Sequence, residues 1–209
     1  MVMANKDWTG NSVAYITTNG FANNAKHERG SNDYYATEPR ATELLLGLDD
    51  FSDVWEVACG GGHMAQVLLD AGILSRVSDK FFYGVSFDIG DGMPMLPEAI
   101  DFLDYHWQWD GDIITNPPYK YANQFIENAM SILQDGRKLA LFLPIRYTEG
   151  KARKLLFEKY PPKKIWVSSG RLKCAINGDF KNMKGSAVSY AWFIWEKGYT
   201  GESKIGWFN

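Results

Sequence analysis

Apolar and polar positions alternate along the chain in a way that predicts strands and helices in turn. Short apolar runs typical of buried strands lie at 53–58, 75–78, 112–115, 138–143, 164–168 and 189–195. Segments with helical periodicity lie between these runs, at 39–48, 63–70, 121–133 and 151–160. This alternation predicts an α/β fold in which helices cover both faces of a mostly parallel sheet.

The remaining segments lack a sustained pattern. We expect residues 1–30 to form a flexible arm, because they show no hydrophobic period. Residues 81–97 carry many Gly and Pro and allow no firm assignment, whereas the polar, basic segment 169–186 predicts a loop. Residues 31–209 then suffice for one domain, and the short connections leave no room for a second.

Composition narrows the class of protein. Hydrophobic residues make up 45% and charged residues 22% of the 209, as in ordinary globular proteins. No apolar run approaches the ~20 residues that cross a bilayer, so no membrane partner is expected. The N-terminus lacks the apolar core of a secretory signal, and two cysteines do not make a disulfide framework. A cytoplasmic location is therefore expected.

The net charge of −3 conceals an uneven distribution of charge. Residues 144–185 carry a local charge of +8, and the rest of the chain carries −11. Such asymmetry is typical of a protein with one face against a polyanion, although a solvated helix and loop surface explains it equally well.

A glycine-rich turn, Gly60-Gly61-Gly62, separates a predicted strand from a predicted helix. Glycines let the backbone approach a ligand closely, and a helix N-terminus favours negative charge. An acid that binds ribose is expected about 20 residues beyond such a turn, at the end of the second strand. Asp79 is the preferred candidate, and Asp88 is the alternative if the second strand is 83–87.

The most informative stretch is Asn116-Pro117-Pro118-Tyr119, which follows the predicted strand at 112–115. The prolines stiffen the turn and leave the carbonyl of Pro117 free to accept a hydrogen bond. Asn116 lies at the carboxyl end of a strand, where α/β folds bind ligands. Tyr119 offers a flat face for stacking, so the stretch could hold a planar amide or amino group.

These residues match the N-P-P-Y signature of amino-methyltransferases. From about residue 32 onwards the chain resembles the small phage- and mobile-element-type DNA adenine-N6 methyltransferases. Residues 34–39 resemble the N-terminal cofactor motif of that family, and 56–62 resemble its glycine-rich motif, with Val57 in place of a proline. Asp101-Phe102 resembles the pair that holds the cofactor's adenine, and 190–195 resembles the closing strand.

The resemblance implies a Rossmann-like S-adenosylmethionine methyltransferase fold with a mostly parallel seven-stranded sheet and a C-terminal antiparallel strand. It implies methyl transfer from S-adenosylmethionine to N6 of adenine in DNA, with S-adenosylhomocysteine as product. Asn116 and the Pro117 carbonyl would accept hydrogen bonds from the target amino group, Pro118 would keep the turn rigid, and Tyr119 would stack on the base. The implied cofactor-binding residues are Tyr35, Thr37, Glu56, Ala58, Cys59, Gly60, Gly62, Asp79, Asp101 and Phe102.

A duplex substrate would require the target adenine to be flipped out of the helix. The basic region would then contact phosphates, and its candidate residues are Lys163, Lys164, Arg171, Lys173, Lys181 and Lys184. The chain has no room for a separate target-recognition domain, so we expect low or short sequence specificity, or specificity supplied by a partner or a homodimer. No metal site is expected.

Three alternatives stay open. RNA adenine-N6 and protein glutamine-N5 methyltransferases carry similar motifs, but the glutamine enzymes usually have an N-terminal helical domain that residues 1–30 cannot form. The third alternative is a non-catalytic nucleic-acid-binding module, against which the intact stretch from Asn116 to Tyr119 argues.

Overall fold

The computed structural model describes residues 34–90, 92–183 and 185–209, so the predicted arm at 1–30 and Lys184 lie outside the described residues. Within these ranges the α-helices are α1 (Pro39–Leu46), α2 (His63–Asp70), α3 (Ala122–Ile132) and α4 (Lys151–Lys159). Short 3₁₀ helices span Phe102–Asp104, Tyr119–Tyr121 and Ile145–Thr148. Every helix of the described ranges is too short or too polar to span a bilayer.

The described residues form twelve strands. The first six are β1 (Tyr35–Thr37), β2 (Val54–Glu56), β3 (Leu74–Asp79), β4 (Phe87–Asp88), β5 (Pro94–Met95) and β6 (Glu98–Ala99). The other six are β7 (Ile113–Thr115), β8 (Lys138–Pro144), β9 (Lys164–Ser168), β10 (Cys174–Ile176), β11 (Tyr190–Glu196) and β12 (Lys204–Phe208).

Eight strands form the central sheet, in the order β12-β9-β11-β8-β7-β2-β3-β6. All neighbours in it are parallel except β11, which is antiparallel to both β8 and β9. The predicted α/β fold with an antiparallel strand near the C-terminus is therefore confirmed. The sheet has eight strands where seven were predicted, and no predicted apolar run covers β6 or β12, which pairs in parallel with β9.

The core explains why the central strands are continuous apolar runs. Helices α3 and α4 cover one face of the sheet, where Ile126 and Leu156 belong to the same buried cluster as Leu141. Helices α1 and α2 cover the other face, where Leu45 and Leu68 complete a second cluster. Because both faces are buried, β8 and β11 need apolar residues at every position rather than at alternate ones.

Two short pairings were not predicted from the sequence. Strands β1 and β10 form an antiparallel ribbon in which Tyr35 pairs with Ile176 and Thr37 with Cys174. Strand β10 therefore lies inside the segment predicted as a loop at 169–186. Strands β4 and β5 form a small hairpin in the unassigned segment 81–97. Strands of two or three residues are too short to carry a detectable period.

The direction of the strands decides which residues meet. Strands β2, β3, β7 and β8 run the same way, so they end at one edge of the sheet, which we call the carboxyl edge. The glycine-rich turn, Asp79 and the stretch from Asn116 to Tyr119 follow these strands and lie at this edge. Strand β9 is antiparallel to β11, as β8 is, so β9 begins at the opposite edge.

Candidate active site

The side chain of Asn116 is held in one orientation at the carboxyl edge. Its Nδ2 donates a hydrogen bond to the carbonyl of Tyr35 at 3.0 Å and lies 3.7 Å from Sγ of Cys174. Its Oδ1 is buried and has no hydrogen-bond partner within the described residues. The amide thus presents a free acceptor, and a buried acceptor without a partner costs about 1–3 kcal/mol. A ligand N–H would recover that cost.

The ribbon of β1 and β10 supplies the contacts that hold this amide. Tyr35 comes from β1 and Cys174 from β10, and the hydroxyl of Tyr119 lies 3.7 Å from the same sulfur. Burial raises the pKa of the Cys174 thiol to about 11, so the group is neutral at physiological pH. The sequence analysis did not identify Cys174 as a site residue, because a three-residue strand distant in sequence gives no signal.

The two prolines and Tyr119 form a stiff turn behind Asn116. The carbonyl of Pro118 accepts from the backbone N–H of Tyr121 at 2.8 Å. No hydrogen bond among the described residues ends on the carbonyl of Pro117. The half-buried ring of Tyr119 packs against both core clusters, and burial raises its pKa well above the ordinary value. Tyr119 therefore acts as a neutral, fixed ring.

The glycine-rich turn is tightly packed and specific for glycine at two positions. Gly60 and Gly62 have φ of 51° and 75°, in the left-handed region. A Cβ on Gly60 would lie 2.7 Å from Cδ2 of Tyr34, and one on Gly62 would lie 2.7 Å from Cζ of Phe87. The ring of Tyr34 thus forms a wall directly over the turn.

Asp79, rather than Asp88, lies against this turn. Asp79 ends β3, and its carboxylate accepts the backbone N–H of Gly60 at 2.8 Å and that of Phe81 at 3.0 Å. Burial raises its pKa above the ordinary value. Asp88 is exposed in the small hairpin, where its carboxylate accepts from the backbone N–H of Gly90 at 2.9 Å in its own turn. The geometry favours Asp79 as the acid at the second strand end.

A second acid lies beneath the same turn. Glu56 ends β2 and is only 2% exposed, and its Oε2 has no hydrogen-bond partner within the described residues. Burial, together with repulsion from Asp79, raises its pKa well above the ordinary value. The next strand-end residues, half-buried Ala58 and buried Cys59, continue into the turn, and the N–H of Cys59 donates to the Ser78 carbonyl at 3.1 Å. Two acids, Glu56 and Asp79, thus lie beside the glycine-rich turn, and burial disfavours the ionised form of each.

The remaining predicted cofactor residues lie at the same edge. Asp101 caps the short helix at Phe102–Asp104 by accepting from the N–H of Leu103 at 3.1 Å, and it pairs with Lys80 at 2.7 Å. Phe102 is 2% exposed and packs in the core. Lys80 follows Asp79 directly, so Asp101 is a neighbour of the glycine-rich turn. Thr37 is buried opposite Cys174 in the ribbon.

Two of the predicted nucleic-acid contacts lie elsewhere. Lys163 pairs with Glu196 at 2.5 Å, and Lys164 pairs with Asp49 at 2.8 Å. Both lysines lie at the beginning of β9, on the edge opposite Asn116. The expectation that they share a surface with the catalytic stretch is therefore corrected. The reason is the direction of β9, which the sequence alone did not give.

The other predicted basic residues lie nearer the ribbon. Arg171 and Lys181 are exposed, and the half-buried Lys173 donates its backbone N–H to the Glu38 carboxylate at 2.6 Å. Lys184 lies outside the described residues. Across the ranges that the structure describes, no group of three His, Cys, Asp or Glu side chains is placed to hold a metal ion.

No protein-family model matches the chain, and a comparison with curated protein sequences finds no match. Among solved structures, it is similar to a protein of Listeria monocytogenes assigned to the class I S-adenosylmethionine-dependent methyltransferases. That similarity has a TM-score of 0.53 at 14% identity, and it covers 94% of this chain and 71% of the other.

Two type I restriction-modification proteins are also similar. The methyltransferase subunit of Streptococcus thermophilus gives a TM-score of 0.51 at 13% identity, with 80% of this chain and 45% of the other covered. The modification subunit assigned to a type I restriction enzyme of Vibrio vulnificus YJ016 gives 0.53 at 13% identity, with 84% and 46% covered. The chain thus spans less than half of either subunit. These similarities confirm the Rossmann-like fold of S-adenosylmethionine-dependent methyltransferases.

Proposed function

We propose that this protein transfers a methyl group from S-adenosylmethionine to the exocyclic N6 of adenine in DNA. The observation that carries the proposal is the buried Oδ1 of Asn116, which has no partner while Nδ2 of the same amide is bonded to Tyr35. Such an acceptor at a strand end suits an N–H donor on a planar ligand. The exocyclic amino group of adenine is a donor of this kind.

The candidate cofactor site fits S-adenosylmethionine in charge and in shape. The cofactor carries positive charge on its sulfonium and amino groups, and such a charge beside Glu56 and Asp79 would favour their ionised forms, which burial alone disfavours. The unpartnered Oε2 of Glu56 is an acceptor that a bound amino group would satisfy. Asp101 and Phe102 would hold the nucleoside part, beside Gly60. The cofactor, when bound, supplies an electrophilic methyl group.

The residues around Asn116 would position the acceptor nitrogen. Oδ1 of Asn116 and the carbonyl of Pro117 would each accept one hydrogen of the amino group, which turns the nitrogen lone pair out of conjugation. The rigid turn and the fixed ring of Tyr119 would keep the base in one plane. Catalysis would come from this orientation and from local electrostatics, so no nucleophilic side chain is required.

The choice of DNA rests on the resemblance of the motifs and on the shared fold with type I modification subunits. An adenine in duplex DNA would have to leave the base stack to reach Asn116. RNA adenine and protein glutamine offer similar planar amino or amide nitrogens and are the competing acceptors. The flexible arm at 1–30, the single domain at 31–209, the cytoplasmic location and the possible homodimer stay predictions.

The experiment compares Asn116→Ala with the intact chain. Purified protein and labelled S-adenosylmethionine are incubated with DNA, RNA or a glutamine peptide, and the products are digested and identified by mass. We expect N6-methyladenine from DNA, and a loss of about 10²-fold or more in Asn116→Ala, as for other preorganised polar groups.

Two controls accompany this measurement. Asn116→Ala should still bind S-adenosylmethionine in calorimetry, because the residue is outside the proposed cofactor site. Asn182→Ala removes an exposed amide in the 169–186 segment and should keep full activity. Full methyl transfer by Asn116→Ala, or methylation of RNA or peptide in place of DNA, would refute the proposal.

A further inference from the structure

A groove of about 730 Å³ opens beside Tyr119, between α3 and α4. Tyr119 and Asn123 form the end nearest Asn116, and Glu127 continues the wall along α3. The facing wall comes from α4 and from the turn at Gly150 that precedes it. Helices α3 and α4 begin shortly after β7 and β8 end, so this α3–α4 groove starts at the carboxyl edge and runs away from it.

Four cationic side chains line the α3–α4 groove: Lys120, Lys151, Arg153 and Lys159. One acid, Glu127, lines it as well. Among the residues that the structure describes, none of the four cations forms an ion pair. The groove therefore carries an uncompensated positive charge, which favours an anionic ligand.

The rest of α4 shows that this charge is concentrated on one face. Lys154 does not line the groove, and it pairs with Glu158 one turn along the helix, at 3.5 Å. Lys151 and Lys159 instead share the groove face with Leu155, as residues four apart on a helix do. Lys151 and Lys159 thus line the groove without an ion pair to any described residue, whereas Lys154 of the same helix lies outside the groove and is paired with an acid.

The spacing of these cations suits a nucleic-acid strand. Lys151 and Lys159 are separated by about 12 Å along the helix axis, at 1.5 Å per residue. That distance corresponds to roughly three to four nucleotides at about 3.4 Å each along one strand. The groove begins at Tyr119, so a strand whose base reaches Asn116 would pass its neighbouring phosphates along the groove.

We propose that the α3–α4 groove binds the phosphates that flank the target adenine on the methylated DNA strand. This inference rests on the proposed function, because it takes the DNA strand as the ligand. It assigns the phosphate contacts to Lys120, Lys151 and Lys159, with Arg153 as a further lining cation. Lys163 and Lys164 have no part in it.

The test measures DNA affinity as a function of salt in the absence of cofactor. The probe is a short fluorescent G·C duplex that contains a single A·T pair, so that one adenine is the only possible target. The variant is Lys151→Gln/Lys159→Gln, and the matched control is Lys154→Gln on the same helix. We expect the slope of log affinity against log salt to fall by about 1.8 in the double variant, at about 0.9 per phosphate contact. The control should keep the slope of the intact chain.

A second arm locates the phosphates. Neutral methylphosphonates replace the phosphates beside the adenine in one duplex and remote phosphates in another. The adjacent replacement should weaken binding of the intact chain and leave binding of Lys151→Gln/Lys159→Gln unchanged. Equal salt slopes for all proteins, or equal losses from the adjacent replacement in all of them, would overturn the proposal. Groove-dependent binding of polyglutamate without any binding of DNA would also overturn it, in favour of an acidic protein partner.

The outcomes separate this inference from the proposed function. Groove-dependent DNA binding without N6-methyladenine in the product assay would refute the proposed function and leave the groove only as a site for DNA phosphates. N6-methyladenine formed with salt slopes insensitive to Lys151 and Lys159 would refute the groove assignment alone.

Discussion

Replacement of Glu56 by Gln should make the protein more stable at neutral and alkaline pH. Glu56 is buried at the end of β2, its Oε2 has no hydrogen-bond partner within the described residues, and Asp79 lies close enough to repel it. An ionised carboxylate in such surroundings destabilises the folded state, because burial and repulsion from Asp79 outweigh the interactions with Ala65 and Thr115 that favour the charged form. Gln keeps the shape of the side chain and removes the charge.

The size and the pH range follow from the raised pKa. Removal of the charge of a buried carboxylate that has no cation beside it among the described residues should add on the order of 2 kcal/mol to the free energy of unfolding, or about 4–8 °C in Tm for a chain of this length. The pKa of Glu56 is raised in the folded state above the ordinary value of 4.5. As pH rises above 4.5 the unfolded state therefore loses its proton first, and the intact chain loses stability. Below 4.5 both states are protonated and the advantage of Gln disappears.

Thermal unfolding of both proteins from pH 4 to pH 8.5 measures this difference. Asp112→Asn is the control of opposite sign, because both oxygens of the buried Asp112 accept backbone N–H groups, from Ser52 at 2.9 Å and Lys138 at 2.7 Å. An amide there would place a donor against a donor and lower stability. A Glu56→Gln protein less stable than the intact chain at pH 8 would refute the reasoning. Glu56→Gln should also bind S-adenosylmethionine more weakly. A loss of cofactor affinity together with a gain of stability would indicate that Glu56 is present for binding rather than for folding.

Three further predictions concern the supports of the site. Cys174→Ala should lower kcat a few-fold at unchanged cofactor affinity, because the side chain of Asn116 loses its contact with the sulfur. Cys174→Ser should restore kcat. A change in cofactor affinity without a change in kcat would contradict the role of Cys174 in holding Asn116. Gly60→Ala should lower the free energy of unfolding, measured with denaturant, by more than the about 1–2 kcal/mol that the left-handed backbone conformation costs an alanine. The additional loss is expected because the new Cβ would collide with the ring of Tyr34. Gly72→Ala, at φ 70° with open space around it, should show the strain alone, and equal losses would contradict the packing argument. Trp207→Ser should abolish any homodimer seen in sedimentation, since Trp207 is 69% exposed on edge strand β12; an unchanged dimer would exclude that surface.

Local patterns in the sequence were enough to predict six of the eight strands of the central sheet, namely β2, β3, β7, β8, β9 and β11. The buried strands β8 and β11 are long apolar runs, and the helices between strands have a clear period. Asp79 could be preferred to Asp88 from its distance to the glycine-rich turn alone. Asn116 could be placed at a strand end because an apolar run stops directly before it. Each of these inferences depends on neighbours in sequence.

The parts that could not be predicted depend on contacts between distant segments. The ribbon joins β1 to β10, and each strand has only three residues, so no period announces either of them. Cys174 meets Asn116 only through that ribbon. The placement of Lys163 and Lys164 required the direction of β9, and strand direction is fixed by the order of the whole sheet. The basic residues of the segment 144–185 therefore lie at two opposite edges of the sheet, although they are close in sequence.

The ribbon also explains how the two halves of the candidate site are joined. Tyr34 packs its ring on Gly60, in the proposed cofactor site, and the next residue, Tyr35, holds Asn116 through its carbonyl. The backbone N–H of Asn177 donates to the Tyr34 carbonyl at 2.9 Å, which ties the end of β10 to the same point. Displacement of Tyr34 from the glycine-rich turn would therefore shift the carbonyl that holds Asn116. Two consecutive residues thus join the glycine-rich turn to the anchor of the acceptor amide.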